Sequence, residues 1–202
     1  MGYSTILDIV GSIIIGGVLI VILLTTNSSA VQNSFNYGGD LTIQQSLKLV
    51  VDTLDHDFSK IGYTSIATVA IDPTKRIVLA DTSRIKFLSD IDNDGIIDTV
   101  YYYLGPTSEL AGSINPRDRI LYRVTWDSVS PSATLRYPGI TVFRLVYSDV
   151  NGNTLSSPVA ATSNISKIQI YLKMESSVPY NSVYVSTNWS STKYVIVNVD
   201  RR

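Results

Sequence analysis

The sequence predicts an α+β protein: a long apolar N-terminal helix, then a second, amphipathic helix and a head built on an antiparallel β-sheet. Three observations predict it. Residues 9–39 carry no charge at all. Residues 41–60 set apolar side chains at helical spacing. From Ile77 onward the pattern changes to short alternating runs separated by turn residues. The expected organisation is an apolar helix and linker over 1–39 and a polar-surfaced head over 40–202.

The apolar run from Ile6 to Leu24 is long enough to cross about 30 Å of hydrocarbon as a helix. Met1-Gly-Tyr-Ser-Thr5 holds no Lys or Arg, so a retained helix is expected rather than a removed secretory signal. The first lysine is Lys48, so positive charge does not set the topology. A folded head behind an N-terminal helix is expected outside the cytoplasm. One acid, Asp8, stands at the head of the run, where a charge is expensive in hydrocarbon. Either it pairs with a neighbouring subunit's α-amino group in an assembled core, or it lies at the membrane interface within reach of water. Gly11, Ser12, Gly16 and Gly17 lie inside the run. Ser12 and Gly16, four apart, would let helix backbones approach closely, although glycine is also common in membrane helices generally. Asp8 and these four small residues are the candidate assembly residues.

Thr25-Thr-Asn-Ser-Ser29 and Asn36-Tyr-Gly-Gly39 are helix-weakening, so the helix is expected to fray or break between them. Asp40 or Thr42 then offers an N-cap, with Thr42 and Gln45 spaced as a capping box. Ile43, Leu47, Val50, Leu54, Phe58 and Ile61 form one apolar face. Gln44, Lys48, Asp52 and Asp55 form the polar one, with His56 on or near it, and Gly62 is the expected stop.

Composition narrows the function. Net charge is −1 and charged residues make up 16%, which argues against nucleic acid and against a polybasic lipid-binding surface. There is no Cys, hence no disulfide framework and no thiol chemistry. Thirteen Tyr and many Ser, Thr and Asn give an uncharged polar surface, suited to dense packing beside copies of the same chain and equally to an ordinary secreted β-protein.

Between the strand-like runs Ile85–Leu88 and Thr99–Leu104 lies Asp90-Ile-Asp92-Asn-Asp94-Gly-Ile-Ile-Asp98. Acids at relative positions 1, 3, 5 and 9, with Gly at 6, match the first part of a calcium loop. Tyr101 stands where an EF-hand has its bidentate Glu, so this is not an EF-hand. Two readings stay open: a Ca2+ site built from Asp90, Asp92, Asp94 and Asp98, or a plain hairpin turn whose backbone angles come from Asn93-Asp-Gly95.

Leu54-Asp-His-Asp-Phe-Ser-Lys-Ile-Gly-Tyr63 resembles the end of the first helix of type IV pilin-like proteins, the W-type minor pilins and J-type minor pseudopilins above all. Residues 81–104 are similar to the strand, acidic turn and strand that follow there. Ile120-Leu-Tyr-Arg123, 139–147 and 165–170 continue the resemblance, which covers most of the chain in order. The family's basic leader, mature Phe and fifth-residue Glu are not matched. With Gly2 as the cleavage-site glycine, Tyr3 would lead and Asp8 would be the sixth residue.

Downstream, Ile168, Ile170, Leu172 and Met174 alternate with polar residues as a half-buried strand. Asp149–Asn153 reads as a hairpin turn, Tyr194–Val199 as a final strand, and Arg201-Arg202 as an exposed basic end. Asn27, Asn164 and Asn188 each open an Asn-x-Ser sequon, a motif short enough that chance accounts for it unless the host glycosylates its surface proteins. No nucleophile–base signature, His cluster or phosphate loop is present, so no enzyme is expected. The leading expectation is a structural subunit, major or minor, of a pilus-like filament at the cell surface. Its precursor would be membrane-anchored, and its partners would be copies of itself and other pilin-like subunits. The alternative is a single-pass membrane-anchored binding or adhesion domain.

Overall fold

The computed structural model describes residues 2–66, 69–127, 133–179 and 182–195. A single α-helix, α1, runs over Gly2–Ser59, where the sequence suggested two helices and a break. The hydroxyls of the weakening stretch explain the difference. Thr25 Oγ1 donates to the carbonyls of Val21 and Ile22, at 2.8 and 2.9 Å, and Ser29 Oγ donates to that of Thr25 at 2.9 Å. Turned back on the preceding turn, these side chains no longer offer the backbone an alternative to the helix. Gly38 and Gly39 each cost about 1 kcal/mol relative to Ala, too little to interrupt a helix already nucleated on both sides. Asp40 and Thr42 therefore lie inside α1 and begin no new helix.

The chain divides into two compact units, 1–41 and 42–202, and α1 contributes to both. In the first unit the large apolar side chains between Ile6 and Leu24 are 48–69% exposed. No seam is favoured, so this segment is apolar on every side.

In the second unit, Ile43, Leu47, Val50, Leu54 and Phe58 of α1 enter one core with a seven-stranded sheet. Its strands are β1 (Ile77–Asp81), β2 (Arg84–Ser89), β3 (Asp98–Leu104), β4 (Arg119–Trp126), β5 (Ala133–Ser148), β6 (Lys167–Glu175) and β7 (Ser186–Tyr194). They lie in sequence order, every pair antiparallel. The period-2 pattern decides the faces. Ile85, Phe87, Tyr102, Leu121, Leu145 and Ile170 point into the core.

The other face looks outward. There Trp126, Tyr101, Tyr103 and Tyr122 form a ladder of rings over β3 and β4, with ring centroids 6.2, 4.9 and 4.8 Å apart in that order. Such pairs stabilise a sheet by about 0.5–1.5 kcal/mol each beyond area burial.

The expected hairpin turn at Asp149–Asn153 is present. Asp149 shapes it, its Oδ1 accepting from the amides of Asn151 and Asn153 at 2.9 and 2.8 Å. The chain returns antiparallel there, with Ser148 bridged to Thr154 and the Leu155 amide donating to the Tyr147 carbonyl at 2.8 Å, and then runs on to β6 through a 3-10 turn at Thr162–Asn164. The last described strand is β7, which ends where the expected strand Tyr194–Val199 was to begin. Residues 196–199 and the basic end Arg201-Arg202 lie outside the described residues.

Candidate functional site

The acidic turn between β2 and β3 is where chemistry-bearing groups converge. Hydrogen bonding between β2 and β3 ends at the pair Ser89 and Asp98, which forces the intervening residues into a loop. Asn93 and Gly95 take positive φ, 67° and 87°. Asp92 Oδ1 accepts the Asp94 amide at 3.2 Å, and Asp94 Oδ1 accepts that of Ile96 at 2.7 Å. Asp90 is fully buried. Its Oδ2 accepts from the Ser65 amide at 2.9 Å, from the Gly95 amide at 3.1 Å, and from the Ser65 hydroxyl. Its Oδ1 is buried with no hydrogen-bond partner among the described residues. Asp98, almost as buried, accepts the Ile91 amide at 2.9 Å.

Asp90, Asp92 and Asp98 each bring one carboxylate oxygen within 4.8 Å of the others. Oxygens at that separation can share a Ca2+ ion, which takes ligands at about 2.3–2.6 Å. Asp94, the fourth residue of the sequence pattern, does not join them, since its carboxylate holds the turn instead. The buried Asp90 oxygen, without a partner among the described residues, is the observation that fits a cation, because a buried acceptor left unpaired is costly. One charge is already present: Lys60 Nζ donates to the Ile91 carbonyl at 2.5 Å and to Asn93 Oδ1 at 3.2 Å.

Electrostatics separates the buried acids. Burial pushes the Asp98 carboxyl above the usual carboxylate range, and the charges of Asp92, Asp127 and Asp94 push it further. Burial also acts to raise Asp90, but the hydrogen bonds from Ser65 and Gly95 outweigh it and hold that group below its ordinary value.

A second constellation was missed in the sequence. Asp57, in the last turn of α1, is fully buried. It accepts from Arg123 Nε at 2.5 Å, Arg123 Nη2 at 3.2 Å and the Tyr102 hydroxyl at 2.6 Å. His56, half exposed, lies beside it with Nδ1 at 3.1 Å. Burial would lower the Arg123 pKa, but the bonds and charge of Asp57 raise it well above its ordinary value. Burial and the Asp57 charge push the Tyr102 phenol up in turn. Asp57, Arg123 and Tyr102 thus form a hydrogen-bonded clamp between helix and sheet. The signal was present, because Asp57 interrupts the apolar stripe between Leu54 and Phe58.

The remaining sequence candidates are dispersed. Asp8, Gly11, Ser12, Gly16 and Gly17 all lie on α1. Ser12 Oγ donates to the Asp8 carbonyl at 2.6 Å, and a Cβ at any of the three glycines would meet nothing within 4 Å. Asn27 is exposed on α1, Asn164 in the 3-10 turn, and Asn188 on β7. Comparison with protein-family models, with curated proteins and with solved structures found no match.

Proposed function

We propose that this chain is a structural subunit of an extracellular, type IV pilus-like filament, held in the membrane by α1 before assembly and packed through α1 afterwards. The supporting observation is the contrast along one helix. Residues 43–58 are apolar on one side and buried by their own head, whereas the large apolar side chains of Ile6–Leu24 are exposed on every side among the described residues. An element hydrophobic on every side needs lipid or other helices around it. Leaving water for either is worth about 1.5–3 kcal/mol per large side chain. Lipid and a helix core are equally apolar, so small-residue packing and polar pairing would have to decide between them. Gly11, Ser12 and Gly16 permit the packing, and Asp8 supplies the polar group. In this reading the head carries a Ca2+ site at Asp90, Asp92 and Asp98 that stiffens the β2–β3 turn.

The test is electron microscopy of material sheared from cells, with mass spectrometry of the subunit's N-terminus. Filaments containing this chain support the proposal. Its complete retention in the membrane fraction favours a single-pass anchored binding domain.

A further inference from the structure

We propose that the outward face of the sheet binds an acidic polysaccharide of the uronate class, seated along β5–β7. This does not depend on the filament reading, because every group involved belongs to the unit 42–202.

Charge is the first support. Register brings six strand cations to this face: Arg84, Lys86, Arg136, Arg144, Lys167 and Lys173. Two strand acids accompany them, Asp81 and Glu175. A third acid, Glu109, reaches the same face from outside the strands and accepts from the Tyr122 hydroxyl at 2.6 Å. Both strand acids are engaged, Asp81 with Arg84 at 2.8 Å and Glu175 with Lys173 and Arg117 at 2.7 and 2.8 Å. Lys86, Arg136 and Arg144 meet no carboxylate among the described residues. Lys86 lies 5.2 Å from the Tyr101 and Trp126 rings, Arg136 5.5 Å from Tyr122, and Arg144 4.5 Å from Tyr171. A ring orients a cation without cancelling its charge.

Shape and chemistry are the second. Two adjoining hollows of about 300 and 410 Å³ share Val142 and Lys173 as walls. The first offers the Asn188 amide and the Ser190 hydroxyl, and the second Arg119 and Thr141, with Arg117 held at its wall by Glu175. Arg119 Nε is buried there and donates to nothing among the described residues. Amides and hydroxyls suit a hydroxyl-rich ligand, and guanidinium groups suit its carboxylates. A nucleic acid fits less well. Bases stack on free ring faces, whereas the ladder rings face one another and its ends carry Lys86 and Arg136. A glycan on Asn188 would fill the first hollow, so glycosylation there and this binding exclude each other.

The test titrates the full chain in neutral detergent with oligogalacturonate, with its fully methyl-esterified form, and with single-stranded oligothymidylate of matched charge. Trp189, at the edge of the first hollow, provides a fluorescence signal. Oligogalacturonate should bind saturably, and the ester and the oligothymidylate about tenfold more weakly or not at all. Arg144→Gln/Lys173→Gln should lose about tenfold in affinity, while Lys75→Gln, which lies outside the sheet, should lose nothing. If Lys173→Gln perturbs folding through Glu175, Arg136→Gln/Arg144→Gln replaces it, both residues being exposed and in contact with rings rather than carboxylates. Equal binding of the ester, equal binding of the oligothymidylate, or undiminished affinity in a folded variant overturns the proposal.

Discussion

Asp57, Arg123 and Tyr102 meet beneath the last turn of α1, in a place where water cannot replace a missing partner. Asp57→Ala would leave a guanidinium and a phenol facing an apolar core. Breaking a buried pair from one side costs about 3–5 kcal/mol, and thermal unfolding should show a loss of that order. Replacing the whole trio, as in Asp57→Leu/Arg123→Met/Tyr102→Phe, should recover most of it, because no unpaired group then remains. Glu175 tests the outward face by pH. Burial acts to raise its pKa, but Lys173, Asn115 and Arg117 outweigh that and hold it below the ordinary glutamate value. A carboxyl depressed in the fold stabilises above its unfolded pKa of about 4.3 and ceases to do so as pH falls through the folded value. The melting temperature of Glu175→Gln should therefore lie below wild type at neutral pH, and the gap should close in acid. A gap that stays constant from pH 7 to pH 3 would remove the charge explanation. Neither residue announced itself. Asp57 was legible as an acid in an apolar stripe, but its partner lies 66 residues away, and no local pattern reaches that far.

At the scale of elements, the β2–β3 turn separates motif from geometry. The sequence pattern names four acids, and the fold gathers three. Calcium should raise the melting temperature of the protein, by about 2.7 kcal/mol of stability at a hundredfold excess over Kd. Asp92→Ala should abolish the response, while Asp94→Ala should keep most of it. Lys60→Gln should tighten calcium binding by removing a competing cation from the rim. Equal responses from Asp92→Ala and wild type would leave a plain turn. The strands flanking this turn, and the alternation of β6, were readable because a half-buried strand writes its two faces into the sequence. The continuity of α1 was not. Whether Thr25 and Ser29 break a helix or bond back into it depends on rotamers, which residue type does not specify. Asp8 makes the corresponding claim for α1. Asp8→Ala should leave membrane insertion intact and reduce incorporation into sheared filaments, and Asp8→Glu should partly restore it. Wild-type filament yield from Asp8→Ala would return Asp8 to the membrane interface.

For the whole molecule, the division at residues 41 and 42 separates a segment that needs company from one that has its own core. A truncated chain of residues 42–202 should fold, remain monomeric in analytical ultracentrifugation and form no filaments. Filaments from that fragment would mean that head contacts, and not α1, drive assembly. Composition misled at this scale. A net charge of −1 and a charged fraction of 16% suggested a bland surface, yet strand register sorts six cations onto one face. Only the pairing of strands, which a single sequence does not state, brings Arg84, Arg136 and Lys173 to the same side.

Because β1 to β7 follow one another in the sheet as they do in the chain, each ladder joins a strand to the one delivered just before it. No strand has to wait, unpaired, for a partner that arrives later, and the closure entropy of each step is limited to one connecting loop. The apolar stripe of α1 precedes all of them and can serve as the template on which they accumulate. A chain emerging N-terminus first can thus build its head progressively, with a single growing edge at any moment. That suits a protein whose other end, if it is held in a bilayer, is already immobilised while the rest is still being made.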